Sequence, residues 1–175
     1  MKKIILYIAA SLDQRIAEPD GGLDWLSEFQ NAHQEKYEFS DLLASVSTVI
    51  MGGRAYRELL IRDLLWSFRE KQICVVSRNE GDNSEGVRYI TENIIETVKE
   101  LRKQADKDIL LIGGGEMVSL LLAADLIDEM KIVYIPLILG NGIPLFPGQP
   151  KETKWKLTES KKFENNVLIV KYQKE

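Results

Sequence analysis

The stretch Ile109–Leu122, ILLIGGGEMVSLLL, sets three consecutive glycines between two apolar runs. Ordering a glycine inside an element costs roughly 0.5–1 kcal/mol relative to alanine. Such a cluster therefore implies one of two needs. Either the chain turns where only glycine can, or something approaches the backbone so closely that a Cβ would obstruct it. The run before the glycines is β-prone and the run after them has helical spacing, so the unit reads as strand, glycine turn, helix.

The same unit recurs upstream. STVIMGGRAYRELL predicts a strand over Ser47 to Met51 and a helix from Arg54 onward, and QICVVSRN predicts a buried strand running into a polar edge at Ser77. Lys3 to Ala10 is a continuous apolar run suited to a central strand covered on both faces. Pro19, Asp20, Gly21 and Gly22 mark a long loop after it. A helix is expected from about Trp25 to Ala44, capped by Asp24 or by Ser27 with Gln30. Val87 to Ile90 reads as a short strand. Asn93, with Glu96 at the capping-box position, predicts a helix striped by Ile94, Ile95, Val98 and Leu101. DEMKIVYIPLIL is a further strand, and GNGIPLFPGQP is a loop. KWKLTES and NVLIVKYQ, joined by ENN, predict a C-terminal hairpin. Alternation of this kind predicts a single α/β domain over residues 1–175. It has three α/β/α layers, a mostly parallel central sheet and an antiparallel C-terminal edge hairpin.

Bulk properties narrow the function. The chain has 175 residues, 45% hydrophobic and 29% charged, with a net charge of −4. That balance argues against nucleic acid or an anionic membrane as the main partner. Lys151, Lys154, Lys156, Lys161 and Lys162 alternate with acids and apolar residues, as on the wet side of strands. Cys74 is the only cysteine and lies in an apolar run, so it reads as a buried, inert thiol. His33 is the only histidine. No metal site is expected from one His and one Cys, and a Ser-His-Asp relay would have only His33 to use. The N-terminus is basic and then apolar, but Asp13, Gln14 and Arg15 interrupt it early. A first core strand, and hence a cytoplasmic protein, is the better reading.

Three strand ends carry unusual chemistry: Gly52-Gly53-Arg54, Ser77-Arg78-Asn79 and Gly113-Gly114-Gly115. Open α/β sheets bind ligands at the carboxyl ends of strands. A helix N-terminus there offers free N–H donors and about half a positive charge. Glycine-bearing turns plus separate Arg and Ser groups suit a dinucleotide with an additional phosphate. The competing reading is a tight turn that only lets a helix pack on the sheet. An ordinary Rossmann fingerprint fails, because Val118 replaces its third small residue and Lys131 stands where an acid would hold a ribose. No P-loop is present.

Taken in order, these segments resemble the dihydrofolate reductase fold family, including the branch typified by the C-terminal reductase domain of the riboflavin-biosynthesis protein RibD. YIAASLDQRIA resembles the family's first strand and mobile loop, and VIMGGRAYREL is similar to its MGRxTxE segment. VVSRN resembles the strand that meets the adenosine 2′-phosphate, and LLIGGGEMVSLLL the diphosphate turn. ADLIDEMKIVYIPLILGNGIPLF resembles the RibD-type DELRL…P…LG.G.PLF segment.

The resemblance implies NADPH as hydride donor and a turn in which one Gly–Gly bond is often cis. It implies Ala9 and Ile16 at the nicotinamide and Gly52, Gly53, Arg54 and Ala55 near phosphate. Ser77 and Arg78 would take the 2′-phosphate, with Ile112, Gly113, Gly114, Gly115, Glu116 and Met117 along the diphosphate turn. The implied substrate is a pterin- or aminouracil-like small molecule, reduced at a C=N or C=O bond.

The chain also departs from the family pattern. Ala55 replaces the usual Thr, Gly53 stands where a basic residue is common, and Gln30 where folate reductases carry an acid. Gly113 replaces an acid often found in the RibD branch. Asp24 and Gln30 are the candidates for holding the substrate. Asp13 is the first candidate proton donor and Glu28 the second. Trp25 would pack over the substrate or close the loop. Asp13 reads equally as a loop-capping carboxylate, and Trp25 as a core anchor. A genuine dihydrofolate reductase and an NADP-binding module with little activity remain alternative functions. The C-terminal hairpin and VYIPLIL leave room for pairing in a homodimer.

Overall fold

The computed structural model describes residues 1–30, 37–81 and 86–175, with Gln30 described through its backbone only. The chain opens with β1 (Ile4–Ser11) and a short β2 (Arg15–Ala17). A 3-10 turn (Asp24–Leu26) leads into the single-turn α1 (Ser27–Gln30). Next come α2 (Phe39–Ser45), β3 (Val46–Gly52) and α3 (Gly53–Ile61). A 3-10 turn (Leu65–Phe68) precedes β4 (Gln72–Val76) and β5 (Val87–Ile90). Then follow α4 (Ile94–Gln104), β6 (Asp108–Gly113), α5 (Gly115–Ala123) and β7 (Glu129–Ile135). A two-residue β8 (Ile143–Pro144), β9 (Trp155–Lys162) and β10 (Leu168–Lys174) close the chain.

Eight strands form one sheet in the order β5-β4-β3-β6-β1-β7-β10-β9. The pairs from β5 through β7 are parallel, and β10 is antiparallel to both β7 and β9. This is the expected mostly parallel sheet with an antiparallel edge. Alternation along β1 feeds both layers. Ile4, Leu6, Ile8 and Ala10 pack with Val98 and Leu101 of α4 and Val118 and Leu121 of α5. Ile5 packs on the other face with Leu42 of α2, Val49, Met51 and Phe68, beside Leu59 of α3. Cys74 is fully buried in the first cluster, and burial pushes its thiol up to about 11.

Three local expectations are corrected. The helix predicted from Trp25 to Ala44 is not continuous. Tyr37 (φ 46°) and Glu38 (φ 62°) are left-handed, which no α-helix admits, so α2 begins only at Phe39. His33 lies outside the described residues. Asn93 does not form a capping box, because its φ is +48° and its side chain makes no cap bond; Glu96 pairs with Lys99 instead, at 2.8 Å. The strand from 129 stops at Ile135, since Pro136 has no N–H to continue the ladder. The sequence also gave no sign of the two-stranded antiparallel sheet of β2 with β8. This pairing draws the loop after β1 across the C-terminal ends of the central strands.

Candidate active site

A cleft of about 1150 Å³ opens at the carboxyl ends of β1, β3, β4 and β6. It is lined by every residue expected at the coenzyme except Gly113. The sheet order makes β4, β3 and β6 immediate neighbours, so three chain segments distant in sequence end side by side. Backbone proximity follows from the small residues there. A Cβ built on Gly52 would lie 3.5 Å from the Gly114 amide nitrogen. One built on Gly53 would lie 3.2 Å from Ser77 Oγ.

The three glycines of the opening stretch have three separate reasons. Gly113 has φ +105°, a left-handed conformation at the strand end, and its bond to Gly114 is cis. Gly115 is required by the protein itself, since a Cβ there would sit 2.5 Å from the Pro144 carbonyl oxygen and 3.0 Å from Pro147 Cδ. Gly114 is different. A Cβ on it would meet no atom within 4 Å, so packing within the chain does not explain the missing side chain. Gly114 is also the N-cap of α5, and Gly52 the N-cap of α3; neither helix start has a side-chain cap. Both therefore present free N–H donors and the positive end of a helix dipole at the cleft. Arg54, Arg57 and Arg78 line the same region and form no ion pair among the described residues. This donor set, with an open cradle at Gly114, fits the phosphates of a dinucleotide.

A family model, the RibD C-terminal domain, matches residues 2–169. The chain belongs to the RibD C-terminal domain family. At the level of that family it is a reductase-type domain. It is 37% identical over 170 residues to the uncharacterized protein YwjB of Bacillus subtilis (strain 168), covering 96% of each chain. A crystal structure of a putative riboflavin biosynthesis protein from Shewanella sp. PV-4 superposes with a TM-score of 0.87 at 28% identity, over 99% of each chain. Dihydrofolate reductase from Enterococcus faecalis, in complex with NADP(H), gives a TM-score of 0.70 at 16% identity, over 99% of this chain and 96% of that one. That last likeness establishes the shared fold.

The remaining predicted residues of this RibD C-terminal domain are placed differently. Asp13 does not line the cleft. Its carboxylate accepts hydrogen bonds from the Ser11 hydroxyl (2.6 Å) and from the amides of Leu139 (2.9 Å) and Gly140 (2.8 Å). Those donors, Ser11 foremost, hold its carboxyl at about 2, which suits a staple between two loops and not a proton donor near neutral pH. Trp25 is buried against Val133, Ile135, Val167 and Ile169 and does not line the cleft, which is the position of a core anchor. Asp24 is exposed and pairs with Arg62 at 2.7 Å. Glu28 is exposed and also outside the lining. The side chain of Gln30 lies outside the described residues.

Sequence reasoning missed the aromatic end of the cleft. Tyr7, Phe39 and Phe68 form a ladder, with ring centroids 5.1 Å apart for Tyr7–Phe39 and 6.0 Å for Phe39–Phe68. Tyr7 donates its hydroxyl to the Tyr37 carbonyl (3.0 Å), and burial foremost raises its phenol above the ordinary value. The only carboxylates among the described lining residues are Glu58 and Glu116. Glu116 is an exposed residue in the first turn of α5, and Glu58 faces Arg62 Nε at 3.5 Å. Tyr7 had a legible signal, because it sits two residues before Ala9 on the same strand face. Phe39 and Phe68 had none, since they arrive from separate segments.

Proposed function

We propose that this domain is an NADPH-dependent reductase, acting on a C=N or C=O bond of a pterin- or aminouracil-like substrate such as a 5-amino-6-(phosphoribosylamino)uracil. The observation that carries the reading is the room left at Gly114, where a Cβ would meet no protein atom within 4 Å, beside two uncapped helix starts and three arginines without carboxylate partners among the described residues.

The amides at the start of α5 would bind the diphosphate, with Gly114 leaving room for its approach. Ser77 and Arg78 would take the adenosine 2′-phosphate through a hydroxyl and a forked guanidinium. Ala9 and Ile16 would give the nicotinamide a flat apolar floor and roof. The bound coenzyme supplies the hydride. The chain contributes orientation, holding both rings over β1, and the aromatic ladder excludes water from one face of the substrate. With no free acid at that end among the described residues, the proton would come from water entering the open cleft.

Titration of reduced-coenzyme fluorescence should show saturable binding of NADPH, far tighter than NADH. Oxidation of NADPH should follow on adding the aminouracil ribosyl phosphate. Equal affinity for the two coenzymes would remove the phosphate assignments, and rapid turnover of dihydrofolate would identify a dihydrofolate reductase instead. The paucity of carboxylates in the cleft favours one second reading, an NADP-binding module with little activity; binding without turnover on either substrate would establish it.

A further inference from the structure

We infer that Arg57, a residue outside the strand-end motifs, is a specificity-determining cation for the coenzyme's 2′-phosphate. This rests on reading the cleft as an NADPH site.

Arg57 follows Gly53 by four residues, about one turn of α3. Its guanidinium folds back toward the start of that helix. The position a Cβ would take on Gly53 lies 3.7 Å from Arg57 Nη1, 3.2 Å from Ser77 Oγ and 3.3 Å from Ser77 Cβ. The bare backbone at Gly53 is thus the floor of a notch with the Ser77 hydroxyl on one side and the Arg57 fork on the other. Any side chain at position 53 would press on both.

Arg57 would join Arg78 at this phosphate, and Arg54 is the more obvious candidate for a second cation, since it directly follows the glycines. Its stem is committed elsewhere. A Cβ on Gly21 would lie 2.7 Å from Arg54 Cδ and 3.2 Å from Cγ, so the loop after β2 lies directly on that side chain. Glu58 sits beside Arg57 in sequence but faces Arg62. Arg57 therefore has no carboxylate partner among the described residues, and it lies at the end of α3 where the free amides point. A phosphate monoester carries close to two negative charges at neutral pH, and a guanidinium with a hydroxyl and helix amides satisfies several of its oxygens at once. The ribose hydroxyl that replaces this group in NADH offers no such charge. Arg57 is accordingly expected to act on the discrimination between the two coenzymes and not on binding in general.

The test uses the full chain as wild type, Arg57→Met and Arg57→Lys, with dissociation constants for NADPH and NADH measured by fluorescence titration at fixed ionic strength. Arg57→Met should weaken NADPH about ten- to hundredfold, the range of one charge-assisted contact, and leave NADH within about twofold. Arg57→Lys should fall between, because a point charge remains but the fork is lost. Competition by 2′-AMP should weaken in parallel, while competition by 5′-AMP should not. An NADPH-to-NADH affinity ratio in Arg57→Met equal to that of wild type overturns the role of Arg57 alone. A wild-type chain that binds neither coenzyme overturns both this role and the functional reading beneath it. If Arg57→Met shows no cooperative thermal transition, the ratio measured for Arg57→Lys decides.

Discussion

The two ends of the cleft are built on different principles. At the β3, β4 and β6 ends, the surface offered to a ligand lies mainly in the main chain, as glycines and uncapped helix starts beside a few arginines. At the β1 end it lies in side chains, where Tyr7, Phe39 and Phe68 converge from a strand, a helix and a 3-10 turn. A phosphate is the same anion in every dinucleotide, so a fixed array of amides serves it. A substrate ring differs between enzymes, and side chains can change without disturbing the sheet. The first end is therefore constrained by backbone geometry and the second by packing.

The sharpest way to break this comparison is Gly114→Val. The added Cβ has no neighbour within 4 Å, so the chain should still fold, but the side chain occupies the cradle. Coenzyme affinity should drop by about a hundredfold or more, as two or more charge-assisted contacts are lost. Unchanged affinity with an intact melting transition would sever the turn from the ligand. Gly115→Ala makes the complementary point. Its Cβ collides with the Pro144 carbonyl, so stability should fall by about 1–3 kcal/mol in denaturant unfolding. Stability equal to wild type would mean that the β8 segment yields freely.

The aromatic end responds to Phe39→Leu. This substitution retains bulk and removes a ring packed between Tyr7, which is tilted against it, and Phe68, which meets it edge to face. KM for the aminouracil ribosyl phosphate should rise about three- to tenfold, with the coenzyme dissociation constant unchanged. A parallel loss of coenzyme affinity would show that the two ends are not separable.

The smallest effect concerns Asp13. Its folded-state value of about 2 lies below the ordinary 3.8, so its hydrogen bonds stabilise the fold above about pH 4 and are lost as the pH falls through about 2. Asp13→Asn should lower the melting temperature modestly at pH 7 and flatten the acid limb between pH 4 and pH 2. An acid limb identical to wild type would show that this staple adds nothing to stability.

The same contrast explains what the sequence made legible. The strand-glycine-helix units announced themselves locally, through apolar period and adjacent glycines, and the mostly parallel sheet with its antiparallel edge followed from their alternation, although the strand order did not. Asp13 and Trp25 show the limit. Both stand in the right stretch of chain for chemistry, yet one turns to the amides of Leu139 and Gly140 and the other to Val167 and Ile169, partners more than 100 residues away. No local pattern records such distant contacts. The interrupted helix before β3 is a related case, because left-handed backbone at Tyr37 and Glu38 leaves no trace in residue types that ordinarily avoid it. Arg57 was hidden for a milder reason: its role depends on the direction in which a long side chain folds.

The most direct measurement is a crystal structure of the wild-type chain grown with NADPH. The account predicts diphosphate oxygens about 2.7–3.2 Å from main-chain nitrogens at the start of α5, lying over Gly114, with the 2′-phosphate beside Ser77. A coenzyme bound with its diphosphate away from that turn, or full-strength crystals with no coenzyme at millimolar concentration, would contradict it.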